Sequence, residues 1–190
     1  MVMARKPGKA TYDDLLALPD HVIGELIEGE LLASPRPAPP HQLVANELSR
    51  DLTTRFGRGG EGGPGGWWIF YEVELHLGKN VLVPDLAGWR KERMPSVPKT
   101  PAIELVPDWV CEIISPSSVR IDRAKKPSVY ARAQVPWFWV IDPLARTLEV
   151  FQLRDGLYSL SATHTENERV RAEPFAVVEL DMSFWWTGAD

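Results

Sequence analysis

Hydrophobic and polar positions along the chain repeat with two periods. Alternation marks strands. Trp67, Ile69, Tyr71, Val73, Leu75 and Leu77 share one face of a strand expected over 67–77, with Glu72, Glu74 and His76 towards the other. Gly78-Lys79-Asn80 turns the chain back, and Val81 to Ala87 is expected to be the partner strand. Val22 to Leu32 alternates around Glu28-Gly29, the pattern of a β-hairpin, with Glu25 and Glu30 on its two arms. A repeat of four is carried by Val44, Leu48, Leu52 and Phe56, which predicts a helix over 41–56 with one apolar stripe. Glu47 lies on the border of that stripe, and His41 stands at the helix entrance. The runs 108–115 and 137–142 are apolar almost throughout, as in strands covered on both faces.

The remaining elements are shorter. Thr11 with Asp14 three residues on predicts a capped helix that Pro19 ends. Pro35 to Pro40 reads as a connector. Gly57 to Gly66 is glycine-rich, but no Gly-Lys-Ser/Thr follows, so it is a hairpin tip or lid rather than a phosphate cradle. A polar loop spans Arg90 to Pro107. Arg120 to Gln134 predicts one helix carrying Arg120, Arg123, Lys125, Lys126 and Arg132 against a single acid, Asp122. Such a run is either a solvated face or a place for anionic substrate. Thr147 to Leu153, Leu157 to Ala162 and Phe175 to Leu180 are further strand candidates.

Composition narrows the class. A chain of 190 residues, 44% hydrophobic and 25% charged, is expected to form one domain over 1–190 with a sizeable core. A net charge of −5 argues against a broad nucleic-acid-coating surface and leaves room for a local basic site. No apolar run approaches the roughly 18 residues of a membrane span. Met1 to Ala10 is basic without an apolar stretch behind it, unlike a signal peptide. The single cysteine, Cys111, precludes an intrachain disulfide, which sets a cytoplasmic location as the expectation. It sits in an apolar strand, as buried filler rather than a reactive thiol.

Two isolated acids carry the candidate chemistry. Glu112 interrupts the run 108–115, and an ionised carboxylate buried there needs a cation, a hydrogen-bond network or an open pocket. Asp85 follows Pro84 between apolar neighbours, where the missing ladder donor marks an edge or bulge. Glu112 facing water from an edge strand, and Asp85 closing a turn, are the plain alternatives. On neighbouring strands the two would repel unless a hard divalent cation lay between them. With a lysine from the following helix, they would suit metal-dependent phosphodiester hydrolysis. The metal acidifies water and polarises the phosphoryl group, and the lysine orients or deprotonates the attacking water.

The ordered set Pro84-Asp85, Glu112-Ile113-Ile114-Ser115-Pro116-Ser117, Asp122, Lys126, Tyr130 and Val135 to Pro143 resembles the Uma-type restriction endonucleases of the PD-(D/E)XK nuclease superfamily. The segment Glu25 to Leu31, followed by prolines and His41, shares the likeness, which covers about 20–145. The resemblance implies an α/β fold: a restriction-endonuclease-like core with a mixed central β-sheet flanked by helices, with additional β-hairpins. A β-rich extension over 146–190 would follow that core. It makes Asp85 and Glu112 the metal ligands, for Mg2+ or Mn2+. The superfamily's usual lysine would fall on Ile114, and the resemblance moves it to Lys126. Pro127 follows directly, so either the helix begins near 123–125 or Lys125 substitutes. Glu47, or else Glu30, matches an extra acid of such nucleases, and His41 matches without a role. Gln134 stands where the family closes this helix with glycine.

The expected function is a Mg2+-dependent endonuclease acting on DNA, with Arg120, Arg123 and Arg132 neutralising substrate phosphates. A homodimer suits the cutting of two strands. The rival readings are an inactive nuclease fold kept as a binding or assembly module, and a metal-dependent hydrolase of RNA or another phosphodiester.

Overall fold

The computed structural model describes residues 4–6, 10–116 and 118–187. Most of the basic N-terminal stretch, and Ser117 of the strand-end motif, lie outside the described residues. The strands are β1 (Ala4–Lys6), β2 (Val22–Ile27), β3 (Glu30–Pro35), β4 (Trp67–Tyr71), β5 (Glu74–Leu77), β6 (Asn80–Leu82) and β7 (Leu86–Arg90). They continue with β8 (Ala102–Ile103), β9 (Trp109–Ile113), β10 (Trp137–Asp142), β11 (Thr147–Arg154), β12 (Leu157–Thr165), β13 (Arg169–Val170) and β14 (Leu180–Asp181). The helices are α1 (Tyr12–Leu16), α2 (Pro39–Leu52), α3 (Val119–Ala124) and α4 (Lys126–Arg132).

Two six-stranded sheets carry the molecule, in the orders β1-β3-β2-β6-β5-β8 and β12-β11-β10-β9-β7-β4. Each is mixed: β5–β8 and β9–β10 are parallel pairs among antiparallel neighbours. Strand alternation gives β9 two apolar faces. Trp109, Cys111 and Ile113 pack with the α2 stripe and with Phe175, Leu180 and Trp185 near the C-terminus. Val110 faces a second core that holds Trp89, Tyr130 and Phe138 with Leu75 and Leu82 of the other sheet. The second large sheet is therefore covered on both sides, which is why β9 and β10 read as apolar runs.

The strand expected over 67–77 is two strands, β4 and β5, in different sheets. Its partner breaks as well, into β6 and β7. Pro84 supplies no ladder donor, and Glu72 adopts a positive φ of 43°. One backbone bond, from Glu72 N–H to the Asp85 carbonyl at 3.1 Å, ties the two breaks together. The hairpin thus crosses from one sheet to the other with Asp85 at the crossing.

The helix expected over 120–134 is also divided. α3 and α4 meet at Lys125 (φ −100°, ψ −54°), and Pro127 sits in the first turn of α4, where its missing N–H costs nothing. At the other end Gln134 takes φ 63° and Val135 N–H bonds the Tyr130 carbonyl at 3.0 Å, a left-handed helix closure. α2 begins at Pro39, before the expected His41, because prolines fit a first turn. The strand expected over Phe175 to Leu180 is confined to Leu180–Asp181. Its earlier part forms turns, with Phe175 N–H to the Ala172 carbonyl at 2.8 Å, and sends Phe175 into the core.

Candidate active site

A cavity of about 310 Å³ opens between the two sheets and the start of α2, and α3 and α4 border it. Its lining includes Glu25, Arg36, His41, Asp85, Glu112, Asp122 and Lys126. Three of these, Asp85, Glu112 and Lys126, are the expected trio, and they come from the sheet crossing, β9 and α4. β7 and β9 are neighbours, with Leu86 opposite Cys111. Asp85 therefore lies one residue short of the ladder, beside the end of β9. Its Oδ2 accepts the Ile113 N–H at 2.6 Å, and its Oδ1 lies 3.2 Å from His41 Nε2.

Lys126 is 4% exposed, and Glu25, Glu112 and Asp122 are 7%, 2% and 3% exposed, so these charges are out of bulk water. Its Nζ lies 2.9 Å from Glu112 Oε2, 3.0 Å from Glu25 Oε1 and 3.2 Å from Asp122 Oδ1. Three ammonium donors meet three carboxylates, which accounts for all of them. The other Glu112 oxygen accepts the Tyr130 hydroxyl at 2.5 Å. Glu25 Oε1 also accepts the Val83 N–H at 2.9 Å. Asp122 and Lys126 are four residues apart across the α3–α4 junction, and this spacing lets them pair.

Burial raises Glu112 well above the ordinary carboxylate range, and Asp122, Asp85 and Glu25 add to the rise while Lys126 opposes it. Burial likewise raises Glu25 and Asp122 against the pull of Lys126. For Lys126 burial disfavours the ammonium, but Glu112, Glu25 and Asp122 together outweigh it and hold the amine well above its usual value. The lysine is charged, and one cation serves three carboxylates. Burial also works against a charged His41, and the Asp85 carboxylate, together with the Ile113 backbone and Asp122, outweighs it. The Ile113 backbone favours the charged ring too, though no hydrogen bond of good geometry reaches Nδ1.

The donor set suits a hard divalent cation. Four carboxylates face the cavity, and the raised acids mark a surplus of buried negative charge that such an ion would relieve. Among the described residues no three His, Cys, Asp or Glu side chains are gathered as a ready-made metal site. A Mg2+-like shell needs only one or two carboxylates and is completed by water and substrate oxygens. Asp85 and Glu112 would hold the ion.

Of the secondary sequence candidates His41 lines the cavity, and the rest stand elsewhere. Glu47 pairs with Arg50 at 2.6 Å on α2, and Glu30 with Lys125 at 2.7 Å. Arg123 binds Glu149 at 2.7 Å and Arg132 binds Glu28 at 2.6 Å. Arg120 is exposed on α3. None of these lines the cavity. Sequence reasoning missed Glu25, Asp122 and Arg36 as cavity residues. Glu25 had a signal: it shares a strand face with Ile23 and Ile27, where an acid is out of place. Arg36 had none. It borders the cavity and pairs with Glu72 at 3.1 Å. Cys111 is fully buried, and burial pushes its thiol up, as expected of filler.

The family model "Uma2: Putative restriction endonuclease" matches residues 11–183. The match runs beyond the 20–145 suggested by motifs and takes in β11 and β12. A solved structure from Anabaena variabilis, described as "a putative nuclease belonging to DUF820", aligns over 94% of this chain and 98% of its own, with a TM-score of 0.76 and 22% identity. That likeness concerns the fold. No curated protein matches the chain.

Proposed function

This chain belongs to the Uma2 family of restriction-endonuclease-like proteins, and we propose that it is a Mg2+- or Mn2+-dependent endonuclease that hydrolyses DNA phosphodiester bonds. The observation that supports the reading best is the buried Lys126 ammonium shared by Glu112, Glu25 and Asp122, beside an Asp85 tied to the peptide that follows Glu112. Asp85 and Glu112 hold the cation. When bound, the cation supplies positive charge at the phosphoryl group and acidifies water there.

Lys126 acts as a fixed cation. Held well above its usual pKa, it does not take a proton from water at neutral pH. It orients water and the anionic phosphoryl oxygens once a ligand takes the place of one of its carboxylate contacts. Arg36 at the cavity wall is half-exposed and is placed to meet an incoming backbone phosphate. A two-fold dimer belongs to the same proposal, because two strands are to be cut.

The test is cleavage of plasmid, single-stranded DNA and RNA with Mg2+ or Mn2+, beside Glu112→Ala purified identically. Cleavage of DNA by the wild type, lowered at least ~100-fold in the variant, is the expected result. Preference for RNA would reassign the substrate. No cleavage by either, with metal binding lost in the variant, would favour a binding or assembly module. The mass in solution with and without duplex tests the dimer.

A further inference from the structure

His41 is the part of the cavity for which the motif resemblance implied no role. It stands in the first turn of α2, after Pro39 and Pro40, and its side chain is 11% exposed. Its Nε2 reaches Asp85 Oδ1 at 3.2 Å, while the Ile113 N–H holds Asp85 Oδ2 at 2.6 Å. The carboxylate is therefore gripped at both oxygens, from two elements. The backbone beneath it is fixed as well, by the Glu72 N–H on the Asp85 carbonyl.

We propose that His41 is a positioning residue for Asp85, setting the plane of its carboxylate so that a divalent cation can be shared with Glu112. The inference rests on the reading of Asp85 and Glu112 as cation ligands. The geometry gives it three supports. The Ile113 N–H belongs to the residue after Glu112, so it fixes one Asp85 oxygen relative to Glu112. His41 holds the other oxygen from α2. The ring carries a cost as packing material, because its Nδ1 is buried without a hydrogen-bond partner. An apolar side chain of similar size would avoid that cost and could not hold Asp85. Finally, the two prolines pre-set the first turn of α2, which gives the ring a rigid base. Hydrogen-bonded outer partners of ligating carboxylates have this effect in metal sites generally.

The test uses the full chain and Mn2+ alone, read by electron paramagnetic resonance of free and bound ion, with His41→Ala, His41→Gln, Asp85→Ala and the wild type. Thermal unfolding of each shows that the variants are folded. Asp85→Ala abolishing Mn2+ binding establishes the ligand on which the inference depends. His41→Ala is then expected to weaken Mn2+ binding by about 10- to 100-fold. His41→Gln, whose amide N–H can replace Nε2–H, should recover most of it. Unchanged or tighter binding in His41→Ala, with Asp85→Ala defective, overturns the role of His41 alone. Unchanged binding in Asp85→Ala overturns the ligand assignment, and this inference with it.

Discussion

Single residues decide the electrostatics of the cavity. Lys126 is the ammonium on which Glu25, Glu112 and Asp122 all depend. Removing one partner from such a buried set leaves uncompensated charge, at a cost of roughly 3–5 kcal/mol. Lys126→Met should therefore be strongly destabilised near neutral pH. The pH dependence follows from the direction of the shifts. The three acids bind protons more readily in the folded chain, so their contribution is full below the ordinary carboxylate values and is lost as pH rises through the raised ones. Lys126 is shifted upward as well, and its contribution is complete below 10.5 and lost only above that. In Lys126→Met the acids lose their counter-charge and titrate higher still. Urea denaturation at about pH 5 and pH 8 should show a smaller loss at the acid pH, where protonation replaces the missing cation. An equal loss at both would mean that the side chain matters for packing alone. Asp85 and Glu112 were legible in sequence because each stands out locally, an acid after a proline and an acid in an apolar strand, whereas Lys126 was one cation of a basic run and was singled out by the family resemblance. Asp122 stood in the motif without a role, since its partner at four residues' distance lies across a helix break.

Elements explain how these residues meet. Apolar residues hold every odd position over 67–77, and although Trp68 and Phe70 fill the other face up to Glu72, that alone did not reveal a change of sheet there. The clue was on the partner strand, in Pro84, and it marked a bulge without giving its direction. The inward face also changes at the crossing: Trp68 and Phe70 pack with the second core before it, and Val73, Leu75 and Leu77 after it. The α3–α4 break was foreshadowed by Pro127, because a proline is harmless only in a first turn. At the far end of α4, Gln134 occupies a left-handed position that glycine adopts without steric cost. Gln134→Gly should stabilise the chain by about 1 kcal/mol, with the loss of one side-chain bond to the Ala131 carbonyl set against it. A higher midpoint in chemical denaturation with unchanged cleavage is the expected outcome. Destabilisation would mean that the side-chain bond outweighs the backbone strain.

At the scale of the molecule the cavity is a seam between two sheets, and its outer support is the C-terminal segment. The motifs that resembled a nuclease core ended near 145, which made residues 146–190 look like an extension. The packing ties these residues into the core. Phe175 stands within 4.7 to 5.6 Å, ring centre to ring centre, of Phe56, Trp67, Trp109 and Trp139. Those rings belong to the end of the α2 segment, to β4, to β9 and to β10. Val170, Leu180 and Trp185 join the same core. This could not be read from sequence, because Phe175 lies in turns, where neither period identifies an inward side chain. Phe175→Ala should cost roughly 3–5 kcal/mol, the range for emptying an aromatic site in a packed core. If the C-terminal segment is one cooperative unit with the nuclease-like strands, thermal unfolding stays a single transition at a lower temperature, and tryptophan fluorescence and far-ultraviolet dichroism coincide. A separable extension would instead unfold first and leave the main transition where it was. Because β9 carries Glu112 on the face opposite Trp109, the cooperative outcome also requires the proposed cation binding to be lost in that same transition.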